Sequence, residues 1–180
     1  MTTMRIEHQP ARTRTPSRPT VYALPPSGLL TITAWRHAGV TPSCDLATCT
    51  YLERFWLGIL GPTATWLTRY LSRVITDANC RPDPPVAQSI DWHELSARLG
   101  VSAQPLHDSV LSRAVNRLIM FNFATTLDHA GEPCLAVRRT APRIPERLLD
   151  RLHPGLLEEH IQLSFQRFTG EPGCSCPLPH

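Results

Sequence analysis

Proline placement constrains this chain more than any other feature. Proline supplies 18 of the 180 residues, well above its usual share of about 5%. Each one fixes φ and lacks a backbone N–H, so it is excluded from helix interiors and from central strands. Most of the prolines lie outside the segments with an apolar period, which predicts a compact centre between poorly ordered ends. At this length the chain has room for one ordinary domain with tails.

The segments follow from that punctuation. Residues 1–50 are rich in Pro, Thr and Arg, and the first 20 have almost no apolar period to offset their ordering entropy. They are expected to be largely disordered, as a solvated tail or as a basic arm along a phosphate backbone. Within them only Leu29 to Trp35 alternates in the manner of an edge strand. Residues 51–140 carry the compact domain, and residues 141–169 hold C-terminal helices that serve packing or dimerisation. The tail, 170–180, is expected to be disordered.

In the centre, Leu52, Phe55, Trp56 and Ile59 share a helical face, which Gly61-Pro62 interrupts. Pro62 suits the first turn of a second helix running to about Ile75, with Ala64, Leu67, Leu71, Val74 and Ile75 as its apolar stripe. The Pro-rich stretch 79–85 reads as a loop. Asp91 and Glu94 have the spacing of a capping box that opens a short helix, which Gly100 can end.

A turn around Pro105 then leads to a longer helix from about Asp108 to Met120. Its Leu111, Ala114, Val115 and Leu118 lie on one face, and Ser112, Arg113, Asn116 and Arg117 lie on the other. Two extended runs, Phe123 to Leu127 and Cys134 to Arg138, form a hairpin whose turn Gly131 completes. Helical patterning returns at Glu146 to Leu152 and at Leu156 to about Phe168.

The predicted fold class is therefore mostly α with a small β-hairpin, with flanking N- and C-terminal helices and disordered ends. Helix, short helix, turn, longer helix and hairpin is an order that resembles a winged helix-turn-helix domain over residues 63–139. The stretch 91–100 (DWHELSARLG) resembles its positioning helix, and 110–121 (VLSRAVNRLIMF) its recognition helix. The resemblance implies sequence-selective binding of double-stranded DNA, in a transcriptional regulator or an accessory DNA-transaction factor.

The chemistry of the exposed face suits that role. Arginine donates two hydrogen bonds to guanine, and asparagine pairs with adenine. The candidate DNA-binding residues are Ser112, Arg113, Asn116 and Arg117, with Arg138, Arg139 and Arg143 holding phosphates, which set register without reading sequence. All the basic side chains that count toward the net charge of +3 are arginines.

Charge distribution favours the alternative, a protein-interaction module without nucleic acid. Residues 51–140 hold nine arginines against eight acids, and the hairpin tip carries Asp128 and Glu132. Such a nearly neutral domain has little non-specific pull on a polyanion.

Other constellations carry less. Cys174, Cys176 and His180 are too few for a four-ligand zinc site, and no metal is expected. Neither a His-Glu-x-x-His helix, a nucleophile elbow nor a phosphate-binding glycine loop occurs, so neither an enzyme nor a cofactor is expected. The six cysteines lack a secretory signal beside them, which points to thiols in a cytoplasmic protein. No stretch reaches the roughly 20 apolar residues of a membrane span. Leu157, Ile161, Phe165 and Phe168 form a stripe on the last helix, expected to pack on the domain itself or on a second copy in a homodimer.

Overall fold

The computed structural model describes residues 22, 25, 27–35, 49–78, 87–102, 109–129 and 131–168, with residues 77–78 and 164–168 described by their backbone alone. The expected disordered arm and tail, the Pro-rich loop 79–85, the turn around Pro105 and the Cys174, Cys176 and His180 group lie outside those residues, as do the side chains of Phe165 and Phe168.

Strand β1, Leu29–Ala34, comes first. The helical layer begins with a π-helical segment, Leu52–Trp56, that runs directly into the short helix α1, Leu57–Leu60. Gly61 breaks the axis with φ of 80°, a backbone shape glycine adopts without strain, and Pro62 opens α2, Pro62–Ala78. Strand β2, Gln88–Asp91, leads into α3, Trp92–Arg98, and then come α4, Val110–Met120, and the hairpin strands β3, Ala124–His129, and β4, Glu132–Val137. A 3-10 turn, Glu146–Arg151, precedes α5, Pro154–Phe168.

Local chemistry explains most boundaries. The Asp91 side chain accepts the Glu94 N–H at 2.9 Å, half of the expected capping box. The other half is absent because the Glu94 carboxylate accepts from Arg98 one turn on, at 2.7 Å. Gly100, with φ of 65°, ends α3, and the Gly100 and Val101 N–H groups bond back to the Ala97 and Ser96 carbonyls in the glycine-terminated pattern expected there.

The sheet corrects the predicted fold class. The hairpin is half of a four-stranded mixed sheet in the order β2-β1-β4-β3, not a small appendage on a mostly α domain. Strand β1, read from sequence as an edge, lies inside the sheet. It runs antiparallel to β2, with Leu30 opposite Ile90, and parallel to β4, with Ile32 opposite Leu135. Strand β2 was not anticipated at all; its four residues place only Ile90 inward.

Alternation decides which sheet face meets the helices. Leu30, Ile32, Ile90, Leu135 and Val137 join Leu52, Phe55, Trp56, Leu67, Leu71, Leu111 and Leu118 in one buried cluster. Helix α5 closes one flank through His160, whose Nε2 lies 2.8 Å from the Tyr51 hydroxyl and whose ring meets Phe55 edge-on. Leu156 and Leu163 pack on the same core, whereas Ile161 of the expected stripe is 44% exposed.

Candidate nucleic-acid interface

Helix α4 is built to hold one face fixed and leave another free. Ser109 caps it, accepting the Ser112 N–H at 3.1 Å, and the two hydroxyls lie 2.9 Å apart. The Ser112 side chain is thereby part of the cap, not of an open reading face. Leu111, Ala114, Val115 and Leu118 are buried as predicted. The exposed stripe is Val110, Arg113, Arg117 and Met120, spaced three, four and three apart as one helical face requires.

The four candidate residues of α4 thus separate. Arg113 and Arg117 are exposed, and neither forms an ion pair among the described residues. Helix α4 itself contains no acid. The Arg117 guanidinium lies beside the α1–α2 break, 3.4 Å from the Ile59 carbonyl, so its base is oriented while its surface stays open. Asn116 sits at the edge of the buried face, and its Oδ1 accepts the backbone N–H of Tyr22 at 2.9 Å. The amide oxygen needed to pair with adenine is already engaged by the N-terminal segment.

The end of α4 positions a second group. Asn122 adopts φ of 64°, and the Asn122 and Phe123 N–H groups bond to the Ile119 and Leu118 carbonyls, closing the helix with asparagine in the role more often filled by glycine. This turn directs the Asn122 carbonyl to the Nε–H of Arg138, at 2.6 Å. The Arg138 guanidinium also stacks over the Trp35 indole, 4.4 Å from the ring centroid. Arg138 is only 7% exposed, and burial holds its guanidinium below the ordinary arginine value. It does not project from the surface as a mobile phosphate contact.

Arg139 and Arg143 are exposed. The backbone around Arg143 is pinned on both sides: Trp56 Nε1–H donates to the Pro142 carbonyl at 3.0 Å, and the Ile144 N–H donates to the Tyr51 hydroxyl at 3.3 Å. At the hairpin tip the Asp128 carboxylate accepts the Gly131 N–H at 2.9 Å, which gives the acid a structural task, while Glu132 is exposed.

Sequence reasoning passed over three participants. Tyr22 and Trp35 act across long sequence separations and carry no local signal. Asn122 did carry one, because asparagine just past a helix end tolerates the left-handed conformation. Trp66, 59% exposed on α2, lies with the Arg69 guanidinium 5.9 Å from its ring centroid. Comparison with protein-family models, curated proteins and solved structures returned no match to this chain.

Proposed function

We propose that this protein binds double-stranded DNA through the exposed stripe of α4. The observation that carries the reading is the pair Arg113 and Arg117, one turn apart, exposed and without a carboxylate partner among the described residues. On a helix free of acids, two such guanidinium groups are suited to guanine edges or to phosphates. Arg139 and Arg143, carried on a braced backbone, supply flanking phosphate contacts. The resemblance of the sequences 91–100 and 110–121 to the two helices of a helix-turn-helix is the reason for assigning α4 to the major groove. Ser112 and Asn116 are secondary in this reading, since the helix cap and Tyr22 already engage them. The biological setting is a cytoplasmic transcriptional regulator or accessory DNA-transaction factor.

Retention of mixed genomic fragments at rising salt, followed by sequencing, tests it. A steep loss with salt and one enriched short motif support DNA reading; no retention at low salt contradicts it.

A second reading, a protein-interaction module, is favoured by the apolar ends of the same stripe. Val110 is 39% and Met120 59% exposed, contacts that suit an apolar partner surface better than a groove of bases. Homodimerisation belongs to the same level of proposal. Of its expected stripe Ile161 is exposed and Leu157 half-buried, so the described part of α5 leaves apolar surface for a second copy. No helix among the described residues is long and apolar enough to cross a membrane.

A further inference from the structure

Arg138 is unusual in how it is held. More than nine-tenths of the residue is buried, yet its described contacts are one backbone carbonyl and one aromatic face. Guanidinium has five N–H bonds, and Nε–H alone is used, toward Asn122. The two terminal nitrogens donate to no group among the described residues, and no carboxylate there lies within ion-pair range. Neither terminal nitrogen is among the buried side-chain atoms that lack a partner, so both reach solvent from a residue whose remainder is packed.

The holding is also stiff. Trp35 is tied to the same strand end, its N–H donating to the Val137 carbonyl at 2.8 Å. The Arg138 N–H donates to the Phe123 carbonyl at 2.9 Å, and the left-handed turn at Asn122 fixes the acceptor of Nε. Among the described residues, indole below and carbonyl at one edge leave the opposite edge, with both terminal nitrogens, as the side on which a ligand can sit. That edge offers parallel N–H bonds to two oxygens of one oxyanion, the geometry in which arginine binds phosphate.

We infer that Arg138, with Trp35 as its floor and Asn122 as its brace, is a receptor for a phosphate group. The absence of a carboxylate agrees with the lowered proton affinity, whose cause is desolvation. The site is separate from the α4 stripe and stands whether or not α4 reads DNA. Its ligand is free phosphate or a backbone phosphate of nucleic acid, which share this chemistry.

The test is a titration of the full chain with inorganic phosphate at constant ionic strength, following the Arg138 Nε–H resonance assigned through bonds from its backbone. A saturable shift of that resonance, with a rise in Tm that follows phosphate concentration, is the expected result. Arg138→Gln should abolish the rise, and Arg138→Lys, which keeps charge but loses the planar fork, should weaken binding about tenfold or more. Absence of a saturable shift in the wild-type chain overturns the inference, as does phosphate binding by Arg138→Lys equal to wild type. The wild-type resonance decides even where Arg138→Gln does not fold. Adding a short duplex to the phosphate-loaded chain identifies the source: displacement of phosphate assigns a nucleic-acid phosphate, and joint binding assigns free phosphate. Arg113→Ala with Arg117→Ala should bind inorganic phosphate as wild type does, which keeps failure of the α4 reading distinct from failure of this one.

Discussion

Tyr22 shows how much one residue outside the main helical domain contributes to it. Its side chain is 5% exposed, its N–H holds Asn116, and its buried hydroxyl has no hydrogen-bond partner. Deleting an unsatisfied buried hydroxyl while keeping the ring should help, so Tyr22→Phe is expected to raise stability by roughly 1 kcal/mol in urea unfolding. A loss of that size would mean that the hydroxyl is bonded. Burial first, and the neighbouring Cys134 second, push the phenol up to about 12 from 10.0. The folded chain therefore keeps this proton after the unfolded chain has released it. Stability is unaffected by this group below about pH 10 and falls as pH rises toward about pH 12. Cys134, also pushed up by burial, acts in the same direction from a lower pH. The unfolding midpoint of Tyr22→Phe should accordingly drop less on alkalinisation than that of wild type. Of the candidate residues, Arg113 and Arg117 were legible because helical period alone puts them opposite Leu111 and Leu118. Asn116 and Arg138 were not, because their partners, Tyr22 and Trp35, lie far away in sequence.

At the scale of elements, the helices and the β3–β4 hairpin were legible and the sheet that contains the hairpin was not. A helix announces itself through a local stripe, a cap such as Asp91 or a terminator such as Gly100. A strand's place in a sheet depends on partners that no local window contains. The Leu30 and Ile32 alternation signals a strand with one buried face, and it reads the same at an edge as in the interior. Only pairing with both β2 and β4 distinguishes the two. If β1 is interior, truncating it harms the whole core: Ile32, fully buried, changed to Ala should cost about 2–5 kcal/mol of unfolding free energy. A cost within about 0.5 kcal/mol, as for a surface position, would contradict the central placement. Of the stripe expected on α5, Ile161 faces outward, because the inward position beside it is held by His160, a polar residue omitted from an apolar count. Its contacts with Tyr51 and Phe55 anchor the helix and rotate Ile161 outward.

For the whole molecule, the parallel pairing of β1 with β4 brings the N-terminal segment against the hairpin and the end of α4. The α4 stripe and the Arg138 site are thus built on one core, and the partners that engage Asn116 and Arg138, Tyr22 and Trp35, come from residues distant in sequence. If α5 also serves as a dimer contact through Leu157 and Ile161, sedimentation should show mass rising toward twice the monomer with concentration, and Ile161→Glu should suppress it. A monomer at high concentration contradicts the dimer and leaves α4 as a single reading head. The most direct test of DNA reading is the salt dependence of duplex binding by wild type and by Arg113→Ala, measured on the motif enriched from genomic fragments. The reading predicts a linear fall of log affinity with log salt for wild type, a slope reduced by about one in the variant if Arg113 meets a phosphate, and a loss of about 1–3 kcal/mol if it meets a base. Equal affinities and equal slopes for the two proteins would contradict it.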